Sequence, residues 1–138
     1  MIISGLCATA KRDFIMGVHQ PHDHYKVALY SSMANLSPAT EFYTTHGEIT
    51  GQGYERGGMP LRGYKCVIDG TIAVMGWTED PVWRNASISA HGALFYNSSK
   101  QNRALVVVDF GQVIASTFGD YRLRLPPVAA DTAIVRIL

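Results

Sequence analysis

A chain of 138 residues makes one domain and can bury a core without disulfide or metal staples. Its net charge of +1 gives no concentrated basic face of the kind that nucleic acid or an acidic membrane surface requires. No run approaches the roughly eighteen apolar residues of a membrane span. With 47% hydrophobic and only 17% charged residues it is poor in charge for a free-standing domain, which predicts a surface partly covered by neighbours, copies of itself among them.

The N-terminus, MIISGLCATAKRDF, places its charges after an apolar start, the reverse of a secretory signal, and reads as mature intracellular protein. Ala8 to Val18 is predicted as the single helix. Leu6, Ala10, Phe14, Ile15 and Val18 recur at helical spacing, Lys11, Arg12 and Asp13 fall on another face, and Gly17 and Pro21 stop it. The following segment gathers His19, His22, Asp23 and His24 within six residues, and imidazole and carboxylate are ordinary ligands for divalent ions. Their spacing matches no strong metal signature and no second half is visible, so a polar linker is the competing reading. His46 and His91 stand alone and read as strand or loop residues. Cys7 and Cys66 fit no ligand spacing and read as small buried or half-buried thiols of a reducing compartment, with their pairing left open.

Tyr25 to Ser31 is predicted as a strand with Val27 and Leu29 on one face and Lys26, Ala28 and Tyr30 on the other. Ser32 to Thr40 is a loop, and the threonine-rich stretch from Glu41 to Thr50 is an extended edge segment. The glycine-rich run Gly51 to Gly58 has neither the preceding strand nor the following Gly-Lys-Ser/Thr and helix of a phosphate-binding loop. Glycine there is better explained by positive φ or close backbone approach. Tyr64 to Met75 reads as a hairpin about Asp69-Gly70, and Glu79-Asp80-Pro81 as a turn between Trp77 and Trp83. The two tryptophans either cap the core or stand out as partner anchors, capping being the favoured reading.

A second hairpin, Ser87 to Tyr96 and Ala104 to Phe110 around the polar segment Asn97 to Asn102, is placed at the centre of the fold. Leu105-Val106-Val107-Val108 lacks polar alternation and so needs cover on both faces. Gly111 to Gly119 carries Val113, Ile114 and Phe118. Tyr121 to Leu125 alternates with Arg122 and Arg124 outward, Pro126-Pro127 ends it, and Thr132 to Leu138 is a last strand. The sum is a single all-β domain over residues 1–138, a β-sandwich or jelly roll of about eight short antiparallel strands with one short N-terminal helix.

Catalytic frames are missing from the sequence. There is no G-x-S-x-G, no cysteine in a catalytic-type context and no convincing carboxylate pair. Asp109, after the valine run, reads as a buried carboxylate bonded to backbone amides or to Arg103 or Arg136, and one acid cannot serve as both acid and base. The chain is expected not to be an enzyme and to carry no cofactor.

Four blocks carry a resemblance: KVALYSS at Lys26 to Ser32, GEITGQGYERGGMPL at Gly47 to Leu61, SISAHGALFYNSSKQNRALVVVDFG at Ser87 to Gly111, and LPPVAADTAIVRI at Leu125 to Ile137. Together, and in this order over nearly the whole chain, they are similar to a group of small virion structural proteins of tailed bacteriophages. The histidine-rich linker and the Trp77 to Trp83 turn depart from that group's pattern. The resemblance implies a particle component assembled in the host bacterial cytoplasm, with the major capsid protein or neighbouring virion subunits as partners and a homo-oligomeric state. A capsid decoration or cement role is preferred; a neck or tail component, such as an adaptor or fibre-attachment protein, is the alternative. A metal- or carbohydrate-binding module using the histidine-rich linker and the tryptophans is the third reading. Tyr54, Arg56, Trp77, Trp83, Lys100 and Arg103, on the glycine-rich loop, the tryptophan turn and the hairpin tip, are the expected partner-binding residues.

Overall fold

The computed structural model describes Met1 to Leu138. The strands are β1 (Gly5–Leu6), β2 (Tyr25–Tyr30), β3 (Met59–Pro60), β4 (Arg62–Asp69), β5 (Ile72–Glu79), β6 (Val82–Asn97), β7 (Arg103–Arg122) and β8 (Val135–Ile137), with one helix, α1 (Ala8–Ile15). They form two sheets, one of five strands in the order β1-β7-β6-β2-β3 and one of three in the order β4-β5-β8, with antiparallel pairing throughout. The architecture is the expected all-β, sandwich-like one.

Two apolar clusters explain why β2 and the turn-proximal halves of β6 and β7 are buried on both faces. Val27, Leu29, Phe95 and Leu105 lie in a core with Trp77, Trp83 and Tyr121, while Ala28, Tyr30, Leu94 and Val107 lie in a second one with Cys7, Ala10 and Leu36. Alternation along β2 divides as the pattern requires, Val27 and Leu29 to one cluster and Ala28 and Tyr30 to the other. Leu105, Val106 and Val107 are buried, as an unbroken apolar run must be. Trp77 stacks on Phe95 at 5.9 Å and Tyr25 tilts against it at 5.4 Å, an aromatic pile that joins the two sheets.

Several expectations need correction. The helix stops at Ile15 rather than Val18, because Gly17, at φ 72°, turns the chain left-handed; its amide and that of Val18 bond back to the carbonyls of Phe14 and Asp13. Ala10 is buried and Leu6 and Phe14 pack on the core as the spacing predicts, but Asp13 is buried and Ile15 exposed, the reverse of what the periodicity assigns them. Glu41 to Thr50 forms no strand; it meets the large sheet through the isolated bridges Phe42–Arg103 and Tyr30–Glu48, the stacking of Tyr43 on Tyr96 and the burial of Ile49 in the core. In the β4–β5 hairpin Asp69 pairs with Ile72, so the loop is Gly70-Thr71, one residue later than expected. Cys66 is exposed and both cysteines are free. Asp109 is also exposed and bonds only to local backbone, accepting from the Gly111 amide.

The largest difference is length. β6 has 16 residues and β7 has 20, joined by a tip at Ser98 to Asn102. Near the tip they are the middle of the sheet. Beyond Asp109 the same strand leaves the core as an arm, and every residue of β7 from Asp109 to Asp120 is exposed or half-buried. Register shifts between Trp83 and Ala86, between Ala86 and Ile88 and between Ala90 and Gly92 mark bulges along this arm, where twist and strand direction change.

Candidate functional site: the hairpin tip, the Glu48 cluster and the arm cleft

At the tip, α1, the histidine-rich segment and the β6–β7 turn meet in a buried polar cluster. Asn97 donates through Nδ2 to Nδ1 of His19 (2.9 Å) and to Oδ2 of Asp23 (2.8 Å). Lys100 pairs with Asp23 at 2.9 Å, and Arg103 with Asp13 at 3.1 Å. Because Nδ1 of His19 accepts from an amide, the ring proton sits on Nε2, which faces the free Oδ2 of Asp13 at 3.9 Å. The His19 side chain has no exposed surface, and neither ring nitrogen is turned to solvent. The cluster pins the tip to the helix.

Its titration follows from this geometry. Burial pushes the His19 pKa below its ordinary 6.5, outweighing the upward pull of Asp13 and Asp23. For Asp23, burial alone would raise the pKa. Hydrogen bonds from Asn97, Lys100 and the Gln20 amide overcome that and hold it at about 2. A histidine that resists protonation only when folded destabilises the fold as pH falls below 6.5, because the unfolded chain then binds the extra proton. Asp23 contributes stability that is present above its ordinary 3.8 and is lost as pH drops through about 2. Thermal melts of the native chain should therefore lose stability in two acid steps. H19Q should flatten the first and leave the second, and an identical first step in H19Q would contradict the assignment.

The second cluster holds the glycine-rich loop. Glu48, buried, accepts from the hydroxyls of Tyr43 and Tyr54 and from the Gly57 amide (2.9 Å), with Arg56 at 3.9 Å. Burial, and then the hydrogen bond to Glu48, pushes both tyrosine pKa values well above the ordinary one, so the hydroxyls remain donors. Tyr96 closes the loop by donating to the Gly57 carbonyl. Gly58 passes so close to β2 that a Cβ would run into the Val27 carbonyl, and its φ of 83° suits glycine alone. The loop also covers the outer edge of β6, where the Ser87 amide donates to the Gln52 carbonyl.

The third feature is a cleft of about 730 Å³ between the arm, β1 and the C-terminal segment, lined by apolar residues that include Phe110, Ile114, Leu123 and Ile134. Arg122, Arg124 and Arg136 also line it, and no ion pair engages any of the three. Along its outer side β7 pairs with β1 only at Val106 and Val107; past the Ser4 hydroxyl, which accepts from the Asp109 amide, no strand pairs with that side.

No family model, curated protein or solved structure matches the chain.

The sequence-predicted site residues separate into these places. Trp77 and Trp83 are buried in the core, Trp83 against Tyr54 and Tyr121, so neither stands out as a partner anchor or a sugar platform. Tyr54 is likewise enclosed at Glu48. Lys100 and Arg103 are engaged by Asp23 and Asp13, and Arg56 lies over Glu48 with its side chain 55% exposed. His19 and Asp23 join the tip cluster, whereas His22 and His24 are exposed, and no group of three or more metal-ligating side chains forms. The arm and its cleft were missed. Their one signal in the sequence is the charge-free run Phe110 to Gly119.

Proposed function

We propose that this chain is a structural subunit of a tailed-bacteriophage particle, a decoration or cement protein that grips neighbouring subunits on the head shell. Two things support the reading: the resemblance of the four sequence blocks to small virion proteins, and the arm of β7, whose charge-free stretch with Val113, Ile114 and Phe118 exposed is the single observation that carries it. Contiguous apolar surface left exposed in this way marks a place where a protein meets a partner. A shell bearing many symmetric sites lets modest contacts at each clamp add up. The major capsid protein is the expected partner and the virion the expected location.

Quantitative mass spectrometry of purified particles tests this. A decoration protein is present in copies on the order of hundreds, as a shell of repeated sites demands. A count of roughly six or twelve, as a cyclic ring has, would move the protein to the neck or tail, and its absence from particles would end the reading.

A further inference from the structure

The cleft beside the arm has apolar walls, yet the polar groups that line it share one chemistry, and we infer that it binds a small amphipathic anion, an apolar chain ending in a carboxylate. Its volume of about 730 Å³ lies within the range of sites that enclose a small molecule, roughly 300–1,000 Å³. Phe95, 1% exposed, and Val106, 6% exposed, are among the lining residues, so the recess runs inward from the surface to the core. A single apolar chain can follow it there.

The side chains with hydrogen bonds to spare in the cleft are donors. Arg122, Arg124 and Arg136 carry N–H groups only, no ion pair engages them, and no acidic side chain lines the cleft. Arg136 donates to the Ala130 carbonyl at 3.2 Å, which ties its guanidinium down and leaves its other N–H groups free. Tyr121 is 4% exposed and lines the same cleft, and its hydroxyl is closed to solvent without a hydrogen-bond partner. Burial pushes its pKa up to about 12, so it keeps its proton. Ser4, also in the lining, accepts from the Asp109 amide and has its own proton left to give. A ligand that satisfies this set must bring acceptors and negative charge, and a carboxylate accepts two parallel N–H bonds from one guanidinium. The rest of it must be apolar to match the walls. A protein segment fits less well. The register of β7 with β6 slips between Asp109 and Ile114 and again between Ser116 and Gly119, and Gly111 and Phe118 have positive φ, so the arm presents no even row of backbone groups to an extended peptide.

Isothermal titration calorimetry of the native chain with dodecanoate, kept below its micelle concentration, tests this. One saturable site per chain is expected. Dodecanol and dodecyltrimethylammonium, with the same tail and a neutral or positive head, should each bind about tenfold or more weakly, because the donors are left without a charged acceptor. Acetate, the head without the tail, should give no measurable binding. R124Q/R136Q should weaken dodecanoate by about tenfold and leave dodecanol unchanged, a split that a merely structural role would not produce. Y121F should weaken dodecanoate and leave the unliganded fold at least as stable, because the hydroxyl it removes bonds to nothing. I114W, at a position 41% exposed and outside both apolar clusters, narrows the cleft and should weaken dodecanoate and dodecanol alike. Unchanged circular dichroism keeps these comparisons within folded protein. No saturable binding of dodecanoate, equal affinity for the three heads, or binding indifferent to R124Q/R136Q and I114W would overturn the inference. Particle copy number, which decides the virion reading, is untouched by either result.

Discussion

Replacing Trp77 with alanine should lower the unfolding free energy by about 3–5 kcal/mol, the range for emptying a fully buried aromatic site. Trp77 is 1% exposed and sits between Phe95 and Tyr25, with Tyr64 edge-on at 6.5 Å. β5 carries Trp77 and β6 carries Phe95, so this pile is a main attachment of the small sheet to the large one. Collapse of the walls into the void is hindered because each is a strand fixed in a ladder. Urea unfolding of W77A followed by circular dichroism reads the loss through the transition midpoint at constant slope. A change under about 1 kcal/mol would mean that the two sheets are held together elsewhere.

Glu48 should be comparably costly to remove. E48A leaves the buried Tyr54 hydroxyl and Gly57 amide and the half-buried Tyr43 hydroxyl without their acceptor, and orphaned buried donors cost about 1–3 kcal/mol each. Some of that is relieved by local rearrangement, so a total near 3–5 kcal/mol is expected. E48Q retains an acceptor oxygen and should recover part of the loss. The same measurement separates an anchoring role from a merely nearby charge: if E48Q and E48A are equally mild, the loop is held by Gly58 and Tyr96 instead.

How far the residues themselves reveal this arrangement depends on the range of the interaction involved. β2, the valine run of β7 and the β4–β5 hairpin were legible because period-two alternation, an unbroken apolar run and a turn glycine act over a few neighbours. The all-β, sandwich-like class followed from counting such segments. Local patterns could not reveal that Asp13 is the buried acid of α1. It is drawn inward by Arg103, which is 90 positions away and arrives only when the hairpin folds back. Asp109 failed for the mirror-image reason: it follows a buried run, but the strand leaves the core there, so its carboxylate reaches solvent. The tryptophans were legible as core and illegible as anchors, since burial depends on the partner sheet. His19 and Asp23 were correctly singled out as a polar concentration, yet their neighbours are Asn97 and Lys100 rather than a metal's other ligands. The arm went unread because a strand with one uncovered edge has the same propensities as one with two neighbours; only topology distinguishes them.

One consequence joins the poor charge content to the topology. Charges are spent at the tip cluster, on the β4 edge and at the cleft rim, and none is left for the stretch of β7 that the chain itself does not cover. That allocation suits a molecule whose surface is finished by assembly.

Amide hydrogen exchange of the native chain, followed as a function of protein concentration, addresses that most directly. The Val27 to Leu29 and Leu105 to Val107 amides should be protected at every concentration, because the fold itself covers them. Protection across Phe110 to Gly119 should be weak in dilute protein and rise as subunits associate. Fast exchange there at all concentrations, with no rise, would contradict the claim that this edge is where the protein takes hold of its neighbour.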